Sequence, residues 1–555
     1  METNTSFSSK EFVKAGLLGG AVAVLLSLVG MVAAFSGRYI VSGVFTMGQV
    51  LFIAPILLST YAALRRNRQL TNSNLFMAGL LSGLVGSAIL ALLVLIGSMV
   101  NLRAMLINAS PELYGILTFG RGTGLGIVIL LGLGLLIGAV AAGFLLLPDR
   151  IRHALTQAII WVLLIGLLRD LIVTVSFRWG PLSSIVRQLF AVSGLTIIGA
   201  LILFLLVGGV SYWRWGRPKR DAAESFNQQR PAARWLTIGI TGLILLFLPL
   251  ILGTFFSEIL DNVSMYILMG LGLNIVVGFA GLLDLGYVAF FAIGAYTIGI
   301  LTSPELGIAT MSWWEALPFA LLASFLAGFV LGLPVLKMRG DYLAIVTLGF
   351  GEIVRLLVLS DWLRPWLGGS QGIQRIAQPS IGPLVLNTQQ ELYYLFLIGL
   401  GLVAFIAWRL KDSRLGRSWM ALREDEDVAM AMGINHVSTK LLAFATGALF
   451  SGLAGAIFAA KLTSVYPHSM NFLVSINVLS LIIIGGMGSI PGVFIGALVL
   501  IAAPDLLREF AEFRYLVYGA LLVVMMLTRP EGLWPEKRRQ LELHEEEPAV
   551  VPAAD

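Results

Sequence analysis

The residues most able to do chemistry in this chain are charged and amide side chains that interrupt long apolar segments. Asp284 lies in the stretch 281–286 between two apolar runs, flanked by Gly281 and Gly286, and Asn274 lies upstream. A charge at bilayer depth costs at least about 2.5–3.5 kcal/mol unless it faces a cavity or a partner. We therefore expect the helix to break here and to line a cavity, where free helix ends can meet the charged groups of a zwitterion. The alternatives are a solvated turn for Asp284 and an interhelical hydrogen bond for Asn274.

Two further pairs of charges lie within apolar segments. Glu352 and Arg355 are three residues apart and share one face of a helix, so a structural ion pair is the simpler interpretation and a gate is the alternative. Arg169 and Asp170 are neighbours, which point about 100° apart on a helix. We expect each of them to pair with another helix, as a structural lock or, less simply, as a proton relay.

Sequence patterns of enzymes and metalloproteins are missing. The chain has no cysteine, and its four histidines are scattered rather than placed at metal-ligand spacing. It contains no P-loop and neither the H-E-x-x-H nor the G-x-S-x-G pattern. We therefore predict neither catalytic residues nor a metal site, and we expect the energy for any pumping to come from an ion gradient or from a partner protein.

The composition indicates a membrane protein. Of the 555 residues, 58% are hydrophobic and 12% are charged, whereas about 25% charged residues are typical of soluble domains. A soluble fold cannot cover that much apolar surface, which excludes a cytosolic enzyme, a disordered protein and a disulfide-stabilised secreted domain. We predict an all-α polytopic membrane protein with about 15–16 hydrophobic segments, including short broken or re-entrant helices.

The apolar segments fall into two groups, separated by a polar stretch. We predict four regions: a membrane extension of six spans without an assigned role (1–212), a cytoplasmic linker (213–234), a second membrane domain (235–535) and a disordered cytoplasmic tail (536–555).

In the second domain the segments 474–486 and 491–504 are each too short to cross the membrane comfortably. They meet at a glycine-rich turn, 485–492. Irregular backbone at membrane depth is stable only where protein or a water-filled cavity covers it. Gly485, Gly486 and Gly488 are therefore candidates for residues that line a path.

The basic residues orient the predicted spans. When the N-terminus is placed in the cytoplasm and the spans alternate, most of the 37 lysine and arginine residues fall in loops on the inside. This asymmetry follows the positive-inside rule. We expect both termini and the 213–234 linker to be cytoplasmic and 361–385 to be external. The net charge of +6 is thus interpreted as topology and not as nucleic-acid binding.

Three stretches of the second domain, 272–286, 339–356 and 421–435, carry a family resemblance. Together with the 485–492 turn and the R-P-E-G-L run at 529–533, they resemble, in order, the LivM-type permeases of branched-chain amino-acid ABC importers. The resemblance covers about half of the chain, residues ~260–535.

The resemblance implies a multi-pass subunit of a bacterial or archaeal plasma (inner) membrane. Its implied partners are a second permease of LivH type, two cytosolic ABC ATPases, a periplasmic or lipid-anchored solute-binding protein and membrane lipid, with no nucleic acid. The ATPases would use ATP, and this chain would bind no cofactor. Urea and short-chain amide permeases share these motifs, so their substrates are alternatives. A gradient-driven secondary transporter is the alternative from another class.

The candidate residues form two sets. Those proposed for the substrate path are Asn274, Gly281, Asp284, Gly286, Tyr342, Gly485, Gly486 and Gly488. Those proposed for coupling to an ATPase are Arg423, Glu424, Glu426, Ala429 and Gly433.

The coupling set lies in the loop 409–440, which is long for a connection between packed helices. Its centre has the pattern of a short helix, with acidic residues in the first turn, small residues after them and Gly433 as the stop. Such a helix suits insertion into a groove of a partner. A solvated surface helix is the alternative.

Single-cysteine labelling tests the orientation, because the native chain has no cysteine. Ser370→Cys, in 361–385, should react with an impermeant thiol reagent in intact cells, whereas Ser438→Cys, in 409–440, should react only in inverted vesicles. Labelling of Ser370→Cys in inverted vesicles alone would show that the orientation is reversed.

Overall fold

The computed structural model describes residues 9–176, 180–215, 231–335, 338, 340–506 and 512–536. Most of the predicted 213–234 linker and nearly all of the 536–555 tail lie outside these residues. Within them the chain is mostly helical, and 11 helices are long and apolar enough to cross a membrane, besides one pair bent by 118°. The prediction of an all-α polytopic protein with broken helices is confirmed.

The chain divides into two compact units, Met1–Asn227 and Gln228–Asp555. The helices of unit 1 are α1 (Ser9–Leu28), α2 (Met31–Ala34), α3 (Met47–Arg66), α4 (Asn72–Met99), α5 (Pro111–Leu117), α6 (Thr123–Leu146), α7 (Asp149–Leu167), α8 (Arg169–Ser176), α9 (Gly180–Leu189) and α10 (Ile197–Arg214). A 3-10 turn covers Leu102–Ala104, and strands β1 (Tyr39–Val41) and β2 (Phe45–Thr46) pair in antiparallel fashion.

Close approach of α4 and α6 organises unit 1. Gly79 and Gly138 face each other so closely that a Cβ atom at Gly138 would overlap with the carbonyl oxygen of Gly79. Since lipid offers no hydrophobic drive for helices to associate, small residues that let backbones touch supply the packing energy. The glycines spaced along both helices therefore explain why these two spans pair.

Arg169 and Asp170 differ from expectation. They lie where α7 ends and α8 begins, and not in the middle of a span. Asp170 Oδ2 accepts a hydrogen bond from Nη2 of Arg38 at 2.9 Å, but Arg169 also pairs with Asp170 directly. We expected each of them to pair with another helix, but they also pair with each other, because at a helix boundary the long arginine side chain can fold back.

Unit 2 contains the remaining elements. Its helices are α11 (Pro231–Leu252), α12 (Thr254–Leu273), α13 (Val288–Thr302), α14 (Trp313–Val335), α15 (Asp341–Leu359), α16 (Arg364–Leu367), α17 (Gln389–Lys411), α18 (Arg414–Glu424), α19 (Glu426–Ala431), α20 (His436–Leu462), α21 (Phe472–Gly485), α22 (Ile490–Ala497), α23 (Ala503–Leu506) and α24 (Arg514–Thr528). The strands are β3 (Ile373–Gln374), β4 (Ser380–Ile381), β5 (Leu384–Val385) and β6 (Ser464–Val465), with 3-10 turns at Gly369–Gln371 and Pro467–Met470.

Two interrupted helices shape unit 2. α12 continues as a π-helical segment, Asn274–Phe279, and then breaks before α13. α21 and α22 are the bent pair, and a second π-helical segment, Leu498–Ala502, follows α22. Among the candidate spans of the described residues, α12 and α20 are the most buried, and they form the core of unit 2.

Gly138→Leu should separate α4 from α6, because its side chain would meet backbone rather than a flexible neighbour. We expect a loss of about 1–3 kcal/mol, typical of overpacking, measured as a lower melting temperature of the purified protein. Gly143→Leu, on the same helix but with no heavy atom within 4 Å of the added Cβ, is the matched control and should melt like the native protein. Equal melting temperatures for the two variants would contradict the close-contact explanation.

Candidate functional site

The break between α12 and α13 buries an acidic side chain. Asp284 is fully buried, and its Oδ1 accepts a hydrogen bond from the backbone N–H of Gly286 at 2.9 Å. Among the residues that the structure describes, its Oδ2 has no hydrogen-bond partner. Asp284 is therefore not on a solvated turn. A buried carboxyl group with one unpaired oxygen is costly, which favours a role beyond local folding.

Gly286 attaches this break to the middle of α15. A Cβ atom at Gly286 would overlap with the carbonyl oxygen of Thr347 and lie 3.2 Å from the backbone nitrogen of Gly351. The Thr347 hydroxyl accepts a hydrogen bond from the N–H of Leu285 at 3.0 Å. The extended backbone between the two helices thus obtains its partners from α15.

The two interrupted helices meet at the start of α13. The N–H of Val288 donates to Oγ of Ser475, in the first turn of α21, at 2.9 Å. The hydroxyl of Tyr287 donates to the carbonyl oxygen of Gly447, on α20, at 2.7 Å. Displacement of one break therefore has to strain or move the other.

Asn274 joins the first interrupted helix to the 485–492 turn. Its side chain is 1% exposed, and its Oδ1 accepts a hydrogen bond from the N–H of Gly488 at 2.8 Å. This is the interhelical hydrogen bond considered as the alternative to substrate contact. Gly486 and Gly488 both have positive φ, +118° and +84°, which suits a turn that only glycine adopts without strain.

The 485–492 turn is closed from two sides. Gly485 lies so close to Gly492 that a Cβ atom there would overlap with the Gly492 carbonyl oxygen. The end of the described chain crosses the turn, with N–H donors of Leu533 and Trp534 bonding the carbonyl oxygens of Ile484 (2.8 Å) and Gly485 (2.9 Å). Irregular backbone within a membrane needs such protein cover.

Arg423 connects the loop between α17 and α20 to both breaks. Its Nη1 donates to the carbonyl oxygen of Gly278, in the π-helical segment, at 2.6 Å. Its side chain also lies against Gly281, where an added Cβ would be 2.7 Å from Cγ of Arg423. A residue predicted for coupling thus contacts the elements predicted for the path, with Gly488 close by. The sequence alone had placed these residues in two separate sets.

The short helix α19 buries Ala429, which we expected to be available for coupling. Ala429 is 3% exposed and packs inside this chain, whereas Val428 is 58% and Met432 80% exposed. Asp425 caps the helix through bonds from the N–H groups of residues 427 and 428, and Gly433 ends it with φ of +87°. The apolar surface available to a partner therefore consists of Val428 and Met432.

The other residues of the coupling and path sets lie in different surroundings. Glu426 pairs with the buried Lys440 at 2.6 Å, so its carboxylate fastens α19 to α20. Glu424 is exposed at the end of α18. Tyr342 is 75% exposed in the first turn of α15 and does not lie among the buried path residues.

Asp261 and Lys461 escaped the sequence analysis. Asp261 is fully buried, and neither carboxylate oxygen has a hydrogen-bond partner in the described part of the chain. Nζ of Lys461 lies 3.8 Å from Asp261 Oδ2 and donates to Oδ1 of Asn262 at 2.8 Å. Asp261 lies within α12 and Lys461 in the last turn of α20. A charged residue within an apolar span was the available signal for Asp261, and the pair ties the two core helices together.

Unit 2 is similar in sequence to known proteins. Residues 255–526, all in unit 2, match the family model described as branched-chain amino acid transport system / permease component. The chain is 42% identical over 309 residues to the high-affinity branched-chain amino acid transport system permease protein LivM of Salmonella typhimurium, covering 52% of this chain and 71% of that protein. The Escherichia coli LivM protein gives the same identity and coverage.

A second kind of permease is also similar. The LivH protein of Escherichia coli is 26% identical over 293 residues, covering 49% of this chain and 91% of that protein. No solved structure matches the chain.

Gly286→Ala tests the attachment of the break to α15. The added methyl group would meet the backbone of Thr347, so we expect a loss of about 1–3 kcal/mol and reduced transport by the protein that is inserted. Gly349→Ala is the control, since no heavy atom lies within 4 Å of a Cβ there. Melting temperature and uptake should be measured on the same membranes. Native values of both for Gly286→Ala would refute the tight contact.

Proposed function

This chain belongs to the permease family of branched-chain amino-acid transport systems, and on that premise we propose that unit 2 forms one half of a translocation path and docks one cytosolic ATPase. The substrate class that follows from its LivM-like relatives is the branched-chain amino acids. The chain is a transport subunit and not an enzyme. ATP hydrolysis would be supplied by two partner ATPases, without a cofactor bound by this chain.

The observation that carries this proposal is the hydrogen bond from Arg423 to the carbonyl oxygen of Gly278. It links α18, in the long loop, to the π-helical end of a buried span. π-helical segments are rare and are frequent at functional sites. A push on the loop would reach the segment 274–281 through this bond, and the 485–492 turn through Asn274.

The proposed ATPase dock is the exposed face of α19, formed by Val428 and Met432. The helix is braced from behind by the burial of Ala429 and by the ion pair between Glu426 and Lys440. The apolar tip of a short helix suits the groove of a partner. Because this helix is already ordered, binding would not cost the conformational entropy of ordering it.

The remaining partners are inferred from the family. A second permease of LivH type would complete the path. A periplasmic or lipid-anchored solute-binding protein would dock on the external loop between α15 and α17. Both termini and the linker would be cytoplasmic, and residues 1–212 would be a membrane extension appended to the permease domain of residues 235–535.

Val428→Arg tests the dock. The arginine would place an uncompensated charge in the apolar contact. Loss of a residue at the energetic centre of an interface costs roughly 2 kcal/mol or more of binding free energy. We expect poor co-purification of the ATPases, with uptake and substrate-stimulated ATP hydrolysis falling together. The variant should still insert, because Val428 is exposed.

Leu384→Arg is the matched control. Leu384 is a similarly exposed aliphatic residue, 53% against 58% for Val428, at the other end of α17. It should leave co-purification of the ATPases unchanged. Retained co-purification and uptake in Val428→Arg would refute the dock, and uptake that continues without any ATPase would favour a gradient-driven transporter instead.

A further inference from the structure

We propose that a cleft between α13 and α15 binds the transported amino acid as a zwitterion, with Arg355 facing its carboxylate, Glu352 facing its ammonium group and Tyr296 donating a hydrogen bond. This inference rests on the proposed transport function and assigns it a substrate site. The cleft lies where α13 begins, beside the turn that precedes α21.

The cleft is built from three elements. Its walls are the start of α13, one face of α15 and the 3-10 turn that precedes α21. The lining residues are Val288, Ala292, Tyr296, Val354, Arg355 and Met470. A neighbouring cleft shares Val288 and Met470 and adds Glu352, so the two together form a groove along α15.

The charged residues on this groove are difficult to explain by packing alone. Arg355 and Glu352 pair within α15, with Nε of Arg355 3.0 Å from each carboxylate oxygen. Their side chains remain 31% and 41% exposed, beside the exposed apolar residue Leu356. Charges within a spanning helix are costly against lipid and usually face a partner or a water-filled path. The groove is therefore placed on the path and not on the lipid surface.

Tyr296 supplies an independent observation. The residue is 4% exposed and lines the cleft, and in the described part of the chain its hydroxyl has no hydrogen-bond partner. A buried hydroxyl without a partner destabilises a fold. Its retention here is explained if a bound substrate provides the missing acceptor, and a carboxylate is a strong one.

The rest of the lining fits an aliphatic side chain. The side chains of Val288, Ala292, Val354 and Met470 are apolar, and the polar side chains on the groove are those of Tyr296, Glu352 and Arg355. An amino acid with a branched aliphatic side chain matches this division. Urea lacks both the charges and an apolar part, and short-chain amides lack the charges and have only a small alkyl group. The groove is narrow in this structure, so admission of the substrate requires α15 to move away from α13.

The test exchanges the charges. In the double variant Glu352→Arg with Arg355→Glu, the ion pair within α15 is kept but its polarity is inverted. A structural pair tolerates this exchange, whereas a zwitterion would meet each charge in the wrong place. We expect leucine transported per ATP hydrolysed to fall at least tenfold in proteoliposomes that contain the complete complex, with ATP hydrolysis still stimulated by the loaded binding protein.

Tyr296→Phe is the second variant, and it tests the substrate site if the double variant does not insert into the membrane. Leucine transport should fall about three- to tenfold, the worth of one hydrogen bond, while the melting temperature stays equal or rises. Tyr393→Phe is its control, because that hydroxyl donates to the carbonyl oxygen of Leu245 at 3.0 Å. It should lower the melting temperature and leave transport per assembled complex unchanged.

The outcomes distinguish a wrong substrate site from a wrong transport function. Native transport by the exchanged pair, or by Tyr296→Phe where the pair does not insert, overturns the zwitterion site and leaves the permease assignment in place. ATP-independent uptake by the native complex would overturn the transport function proposed above. Equal losses of leucine transport and of stimulated ATP hydrolysis in both variants would also overturn the site, since these side chains would then act in assembly of the complex and not in binding the substrate.

Discussion

The stability of unit 2 depends on the hydrogen bonds that its backbone makes where two helices break among the membrane spans. A backbone N–H or C=O without a partner in hydrocarbon costs several kcal/mol, so a break is stable only with neighbours that complete it. Here Thr347 bonds the N–H of Leu285, Ser475 bonds that of Val288, and Asn274 bonds that of Gly488. Each partner comes from a different helix. The breaks therefore specify which helices must be adjacent, and the packing of α12 and α20 holds those partners in place.

The same requirement joins structure to function. A break whose hydrogen-bond partners lie on other helices can move only when those helices move. Its conformation is therefore coupled to the arrangement of helices in unit 2. Arg423 adds a link to the loop between α17 and α20, because it bonds Gly278 at the edge of the first break. In the function proposed above, movement of an ATPase docked on this loop would be transmitted through a few directed hydrogen bonds. Allosteric coupling of this kind needs a bistable element, and the π-helical end of α12 is suited to that role.

Several parts of this picture follow from sequence patterns of known physical meaning. Apolar length and basic-loop asymmetry indicate a polytopic helical protein, and glycines beside Asp284 and at 485–492 indicate broken helices. The acidic start and Gly433 indicate the short helix α19, and the structure has it from Glu426 to Ala431. These features are local, so the residues that specify them are neighbours in the chain. The resemblance over ~260–535 added the family, and the match over 255–526 agrees with it.

Contacts between distant residues required the tertiary structure. Arg423 and Gly278 are 145 positions apart, and no local sequence pattern in either segment predicts their hydrogen bond. Ala429 and Val428 differ by one position on α19, and only the packing against the rest of unit 2 decides that Ala429 is buried and Val428 exposed. Asp261 and Lys461 lie on helices distant in sequence, and only the packing of α12 against α20 brings them together as a buried pair. The sequence by itself determined the class of protein and the residues that are candidates for function. The fold decided which of them meet, since side-chain direction and long-range proximity depend on packing that no local pattern encodes.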